Sequence, residues 1–317
     1  MRRSRTHIPV ILATLLAGAS ASCFAQPDPL AQARSLLDAG NVAASESVLR
    51  SDLEAHPESA DAHFLLGYAL FREQKAKESL AEFTAGAKYR RPRADELKVV
   101  AADYVMLGDY SDADKWFSQV VAETPNDADA WYLLGRTKYN ESEFELAIAA
   151  FEHALTLHPK YLEAENNIGL AWKELNQRGK AEIAFKNAID WQSDAPSDAQ
   201  PFLNLGILLA DAGENERALS YLIKARALAP KNPTVHEELG KVYVAMNRLA
   251  DAQSELEEAI ALAPDTSALH YKLGQILRRE EQVERAQQEF AICERLNGAH
   301  SSTKTPNPPP ANTPDHK

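Results

Sequence analysis

The sequence predicts an all-α fold, an α-solenoid of about eight stacked helical hairpins. Three observations lead there. Gly67, Gly135, Gly169, Gly206, Gly240 and Gly274 each follow Leu or Ile, at intervals of 68, 34, 37, 34 and 34 residues, and Ala101 sits at the midpoint of the long interval. Ala113, Ala147, Ala181, Ala218, Ala252 and Ala286 form a second series, twelve residues after each of those positions from Ala101 onward. Pro57, Pro125, Pro159, Pro230 and Pro264 form a third, closing the units. A fixed internal period of this size marks a repeat architecture. No segment shows sustained period-2 alternation, which argues against strands. The 317 residues exceed one ordinary globular domain, and 45% are hydrophobic, so there is apolar surface enough to bury.

Each period holds two helix-length apolar stripes joined by a short turn such as Leu107-Gly108-Asp109 or Ala212-Gly213-Glu214. Where the two helices cross, a residue without a bulky side chain lets them approach, so Gly135 is expected to face Ala147, with Phe151 filling the wider space beside them. Pro159 lacks an N–H and cannot continue a helix, so it should end the second helix and begin the turn to the next unit. One such hairpin cannot bury its own apolar face, and neighbours must stack on it.

The match is clearest in Trp131, Leu134, Gly135, Ala147, Phe151, Ala154 and Pro159, and again in Gly169, Trp172, Ala181, Phe185 and Ala188. On these residues the chain resembles the tetratricopeptide-repeat family. The resemblance implies a right-handed superhelix and divides the chain into units 26–59, 60–93, 94–127, 128–161, 162–195, 199–232, 233–266 and 267–300. Residues 196–198, Pro196-Ser197-Asp198, are then an insertion that bends the array or separates two subarrays. Ala33 and Ala101 replace the glycine in units one and three, and Ser45 replaces the alanine in unit one. Unit 60–93 has Gly86 and Arg91 where alanine and proline are usual, so its second helix should be the weakest. The last helix, roughly Val283 to Leu296, is rich in Gln, Glu and Arg, as a terminal cap requires. Residues 301–317, with Pro308-Pro309-Pro310, are a Pro-rich tail too polar to build a core and are expected to be disordered.

Residues 1–25 have the order of a secretory signal: Arg2, Arg3 and Arg5, then an apolar stretch from Ile8 to Ala19, then small residues. The stretch is too short for a bilayer, which takes about 20 apolar residues. Cleavage after Ala25 would start the mature chain at Gln26, in the periplasm or outside the cell. The alternative is a lipoprotein signal with Cys23 as the lipidated residue, which would anchor the protein to a membrane. After cleavage only Cys293 remains, so no internal disulfide is expected. It occupies the place of Ala154, Ala188, Ala225 and Ala259 in other units, which suggests an inert packed thiol.

The formal charge of -12 becomes -15 once the leader, with three arginines and no acid, is set aside. Such a chain repels phosphate backbones, so nucleic-acid binding is disfavoured. No nucleophile elbow, phosphate loop, calcium loop or His-Glu-x-x-His motif is present, and no cofactor or metal is expected. His236-Glu237-Glu238 lacks the second histidine of a zinc site. His153 and His158 are five apart on one helix and do not share a face. The expected function is therefore non-catalytic: a scaffold or adaptor in the cell envelope that binds a protein or peptide. Self-association into a structural component is the alternative, and a regulatory arm of an enzyme a weaker one.

In the resembled family the first helix of each unit lines a concave groove through places two, five, nine, twelve and thirteen, with help from place six. Carried onto this sequence, the early groove would hold Phe64, Tyr68 and Phe71. The central groove would hold Tyr132, Arg136, Tyr139, Asn140, Asn166 and Lys173, and the later groove Glu237, Lys241, Tyr271, Gln275 and Arg278. Asn167 and Asn204 at place six serve either as amides for an extended peptide backbone or as structural amides. The aromatics are candidate interface anchors. Units 128–161 and 162–195 lack the Lys/Asn pair of the carboxylate clamp found in chaperone-binding relatives, so an acidic C-terminal peptide is not expected there.

Overall fold

The computed structural model describes residues 28–192 and 196–302. The expected leader, Cys23 and residues 303–317 of the expected tail lie outside the described residues. Among the described residues there are sixteen α-helices and no strand. They pair as eight hairpins: α1 (Pro29–Asp38) with α2 (Val42–Ala55), α3 (Ala60–Arg72) with α4 (Ala76–Gly86), α5 (Ala94–Leu107) with α6 (Tyr110–Glu123), and α7 (Ala128–Asn140) with α8 (Phe144–Leu157). Then follow α9 (Leu162–Glu174) with α10 (Arg178–Asp190), α11 (Gln200–Asp211) with α12 (Asn215–Leu228), α13 (Pro233–Ala245) with α14 (Leu249–Leu262), and α15 (Ser267–Arg279) with α16 (Val283–Ser302). The last helix thus runs past Leu296 and takes in the first two residues assigned to the tail.

The chain forms two compact units, one ending at Arg91 and the other beginning at Pro92. The division falls there and not at the insertion, where α10 packs directly on α11. Within each unit a second helix packs on the first helix of the next hairpin, which is how a solenoid grows.

Every hairpin turn is made the same way. One residue takes the left-handed conformation: Gly40, Gln74, Gly108, Ser142, Asn176, Gly213, Asn247 and Glu281, with φ between 56 and 78°. That twist lets the next residue's N–H reach back to the carbonyl five positions before it, as Asp109 N does to Tyr104 O (2.9 Å) and Gln282 N to Leu277 O (2.8 Å). The helix end is thereby satisfied without water. The turns between hairpins work differently. His56, Thr124, His158, Ala229 and Ala263 each precede a proline and have φ from -126 to -139° with ψ from 65 to 86°. A proline ring pushes the preceding residue off helical geometry. Where no proline follows, at Ala87 and Trp191, that residue stays right-handed helical.

The crossing of the two helices is a ring over a glycine. A methyl built on Gly135 would lie 2.6 Å from the Phe151 ring, and one on Gly274 2.6 Å from Phe290. At Gly206 the partner is Leu222 at 2.7 Å. The bare glycine is needed most by the Phe151 ring, while the alanine twelve places on also lies against the glycine, as Ala218 O does at Gly206 (3.5 Å) and Ala252 O at Gly240 (3.6 Å). Phe117, Phe151, Phe185, Leu222 and Leu256 repeat this position and are fully or almost fully buried. Each contributes about 1.5–3 kcal/mol of apolar burial.

Gly86 has a packing role. A methyl there would meet Phe64 at 2.7 Å, so Gly86 makes room for that ring. The helix it ends, α4, has 11 residues against 13 or 14 in α6, α8, α10, α12 and α14. The insertion is tied down by Gln192, whose Oε1 accepts N–H bonds from Ser197 (3.0 Å) and Asp198 (2.8 Å).

Candidate partner-binding surface

The first helices carry the candidate contacts. With places counted from residues 128, 162, 199, 233 and 267, place five of one hairpin meets place six of the next. Asn167 Nδ2 on α9 donates to the Tyr132 hydroxyl on α7 (3.2 Å). Asn204 Nδ2 on α11 donates to Asn166 Oδ1 on α9 (2.9 Å), and Asn204 Oδ1 accepts from Gln200 (3.0 Å). Lys272 on α15 pairs with Glu237 on α13. The row is interrupted between α11 and α13, because place five is the buried Leu203. Glu238, at place six, turns to Lys241 instead (2.6 Å).

These ties decide which expected contacts remain available. Asn166 and Asn204 are 6% and 7% exposed and occupied by each other. They set the register of neighbouring helices and have little left for a peptide backbone. Asn167 is committed to Tyr132. Tyr132 itself is half-buried between Tyr161 (ring centroids 5.0 Å apart) and Phe151 (5.8 Å). Burial pushes its phenol up from the ordinary value. Tyr161 donates to Asp129 Oδ1 (3.0 Å), and burial together with that carboxylate drives its phenol up further.

Arg136 and Asn140 are exposed, with the Arg136 guanidinium 5.9 Å from the Tyr132 ring centre. Tyr139 is half-buried edge-on to Phe144 (5.4 Å). Lys173 is partly exposed, 3.7 Å from Asp211. In the later hairpins Lys241, Tyr271, Gln275 and Arg278 are exposed, and Tyr271 leans on Phe290 (5.8 Å). Desolvation of the Lys241 ammonium alone would lower its pKa, but the hydrogen bonds and charges of Glu238 and Glu237 together raise it.

In the first compact unit, Phe64 is 3% exposed. It stacks on Phe83 (5.8 Å) with the Arg90 guanidinium 4.6 Å from its ring centre. It is a core residue and not a groove anchor, because Gly86 lets it sink inward. Tyr68 and Phe71 remain partly open and stack on each other (6.4 Å).

One recurrent group escaped the sequence analysis. At place four, His63, His236 and His270 each bond through Nε2 to the carbonyl of a turn proline: Pro57 (3.0 Å), Pro230 (2.9 Å) and Pro264 (2.9 Å). Through Nδ1 each meets a glutamate nineteen residues on: Glu82 (2.7 Å), Glu255 (2.7 Å) and Glu289 (2.6 Å). Trp131 takes the same place, and its indole N–H donates to Pro125 O (2.9 Å). A carbonyl only accepts, so Nε2 donates to the turn carbonyl. The signal was in the sequence: place 23 is glutamate in the units with His at place four, and Ala150 in the unit with Trp131. Elsewhere, His153 is exposed and packs on Trp131 (4.1 Å), and Cys293 is half-buried near Asn297 (3.6 Å).

Among the described residues no cluster of His, Cys, Asp and Glu could hold a metal, and no helix is long and apolar enough to cross a membrane. The surface offers phenols, amides and cations on a rigid frame, which suits contact with a polypeptide.

Comparison with known proteins places this geometry. Family models described as tetratricopeptide repeat match residues 30–95 and 209–276. A model described as the middle TPR-like domain of cilia and flagella-associated protein 70 matches residues 97–229. The mouse protein O-mannosyl-transferase TMTC1 is 26% identical over 168 residues, 51% of this chain and 18% of that protein. Protein FlbA of Caulobacter vibrioides is 25% identical over 142 residues, 45% of this chain and 23% of that one. The chain thus spans less than a quarter of either relative. Among solved structures, a tetratricopeptide repeat protein from Parabacteroides merdae superposes with a TM-score of 0.63 at 18% identity, covering 78% of this chain and 97% of that one. PilW, a type IV pilus biogenesis factor, gives 0.58 at 20% identity, covering 67% and 95%. At these identities the structures establish the fold.

Proposed function

We propose that this chain, a tetratricopeptide-repeat protein, is a non-catalytic scaffold or adaptor of the cell envelope that holds a polypeptide partner along its first helices. Proteins of this kind bind protein or peptide partners. The observation that carries the reading is the division of labour on the first helices. Asn166, Asn204, Asn167 and Tyr132 are spent on fixing neighbouring helices, while Arg136, Asn140, Tyr271 and Arg278 are held out from that frame. A rigid frame with projecting long side chains reduces the ordering cost of association. Repeats occupy the described residues from α1 to α16, which leaves no separate catalytic domain among them.

Export is part of the proposal and rests on the order of Arg2, Arg3 and Arg5, the apolar stretch Ile8 to Ala19 and the small residues up to Ala25. One experiment addresses both parts. The tagged protein is recovered from envelope extract, its N-terminus is sequenced and its co-purifying polypeptides are identified. The expected result is a chain starting at Gln26 and a specific partner lost from the Tyr132→Ala/Arg136→Ala variant. Recovery from the cytoplasm with an intact N-terminus overturns the envelope assignment. Recovery of the chain alone, as a multimer, replaces the adaptor reading with self-association.

A further inference from the structure

We propose that the cavity at the joint between α10 and α11 is the docking site of this chain's own proline-rich segment, Pro308 to Pro314. The cavity measures 560 Å³. That is within the roughly 300–1,000 Å³ typical of ligand pockets, and is more than one side chain needs. It exists because this joint lacks the closure used elsewhere. Trp131, His236 and His270 each bond through a ring nitrogen to the carbonyl of the turn proline ahead of them: Pro125, Pro230 and Pro264. Here Trp191 is followed by Gln192 and not by proline, and the corresponding place in the hairpin is Phe202, which has no side-chain N–H. The inserted Pro196 stands at the mouth instead.

The wall is apolar, with the buried Phe202 and the half-buried Ile189 and Leu228, and Ala227 is exposed at the rim. Lys224 also lines the cavity, its ammonium 6.0 Å from the Phe202 ring centre, and it joins no ion pair among the described residues. A proline-rich segment matches these walls. Proline offers a carbonyl and no N–H, so a run of prolines asks its receptor for apolar surface and for donors. Phe202, Ile189 and Leu228 supply the first and Lys224 the second. Asn307 or Asn312, flanking the prolines, can donate an amide hydrogen to Asp190, the other charged group in the lining. Proline rings laid on an aromatic wall are the contact by which extended proline helices are bound, at low ordering cost. A segment too polar to build a core of its own can still complete one.

The segment starts at the right edge and reaches far enough. The second helices run alike, as their side-chain ties show: Arg217 on α12 to Glu182 on α10, Arg226 on α12 to Glu255 on α14, and Arg285 on α16 to Glu257 on α14. The cavity lies at the C-terminal ends of α10 and α12, so residues after α16 set out from the same edge. Neighbouring helices pack about 8–10 Å apart, which puts the cavity roughly 20–30 Å from α16. Residues 308–314 follow Ser302 by six to twelve positions, about 19–37 Å in an extended proline helix at about 3.1 Å per residue. The tether holds the segment at an effective concentration of about millimolar, so a weak contact is enough to fill the cavity.

The test uses the full-length protein with the photoreactive residue p-benzoylphenylalanine in place of Ala311. Irradiation of a dilute solution, followed by mass spectrometry, should give adducts within one chain on peptides containing Phe202 or Ala227. Ala227→Arg, at an exposed position and checked for unchanged circular dichroism, should lower the adduct yield by about threefold or more, because the tethered contact is weak. The variant Pro308→Gly/Pro309→Gly/Pro310→Gly should lower it as much, which separates recognition of the prolines from adhesion of the photoreactive group. Leu146→Arg, at an exposed apolar position on α8, should leave it unchanged. Adducts scattered over the surface, absence of adducts, or full yield from either Ala227→Arg or the glycine variant each overturns the assignment. Adducts found only between two chains, and falling on dilution, overturn it as well and give the cavity to the tail of a second copy.

Discussion

His236 is 6% exposed and joins a turn carbonyl to a second-helix carboxylate that Arg226 also holds. His236→Ala strips the partner from Pro230 O and half the partners from Glu255 at once. Leaving buried polar groups unpaired costs about 1–3 kcal/mol each, so a loss of about 2–4 kcal/mol is expected. The double variant His236→Trp/Glu255→Ala reproduces the pairing of Trp131 with Ala150 and should lie closer to the parent than His236→Ala. Urea unfolding of the three proteins checks this, and a double variant no better than His236→Ala would show that the ring N–H is not what the position requires. At this scale the sequence was only partly legible. The glycine and proline series could be followed residue by residue, because each has a steric cause that one residue type satisfies. The histidines could not, because their meaning lies in a pairing nineteen residues away. Phe64 was misplaced for a related reason: its depth is set by Gly86, on the other helix of the hairpin.

At the scale of the hairpin, the left-handed turn residue is the weak point that the sequence disguises. Glycine holds it in three turns, but Gln74, Ser142 and Glu281 hold it in others with a side chain that disfavours it. Such a residue pays about 1–2 kcal/mol in that conformation. Gly213→Ala should therefore destabilise by about 1–2 kcal/mol, and Glu281→Gly should raise stability by up to about 1 kcal/mol after the added freedom of the unfolded chain is subtracted. Thermal melts followed by circular dichroism distinguish the signs, and a Gly213→Ala protein as stable as the parent would mean that the turn relaxes to another form. The hairpin was the level most readable in advance. Helix lengths, turn positions and the role of the prolines all follow from local rules that a 34-residue window contains. The groove was less so, because the inward side chains Asn166 and Asn204 meet only across successive hairpins.

At the scale of the molecule, substantial helix contacts among the described residues of each compact unit run only between helices one or two steps apart in the chain. Such a stack folds from local contacts, with no long-range latch among the described residues. The segment from Pro92 onward is compact by itself, so a protein comprising residues 92–302 should retain its helical circular dichroism and melt cooperatively. A fragment that is unfolded at room temperature would contradict this. Between α7 and α9, α9 and α11, and α13 and α15 the first helices are pinned by directional bonds. Between α11 and α13 the same position is Leu203, and greasy contact has no preferred direction. Across this joint the directional tie runs between the second helices, Arg226 on α12 to Glu255 on α14, so under lengthwise load the first helices are expected to part here before the second ones do. A partner longer than the resting pitch could be accommodated by sliding there, with the bonded steps on either side keeping their spacing.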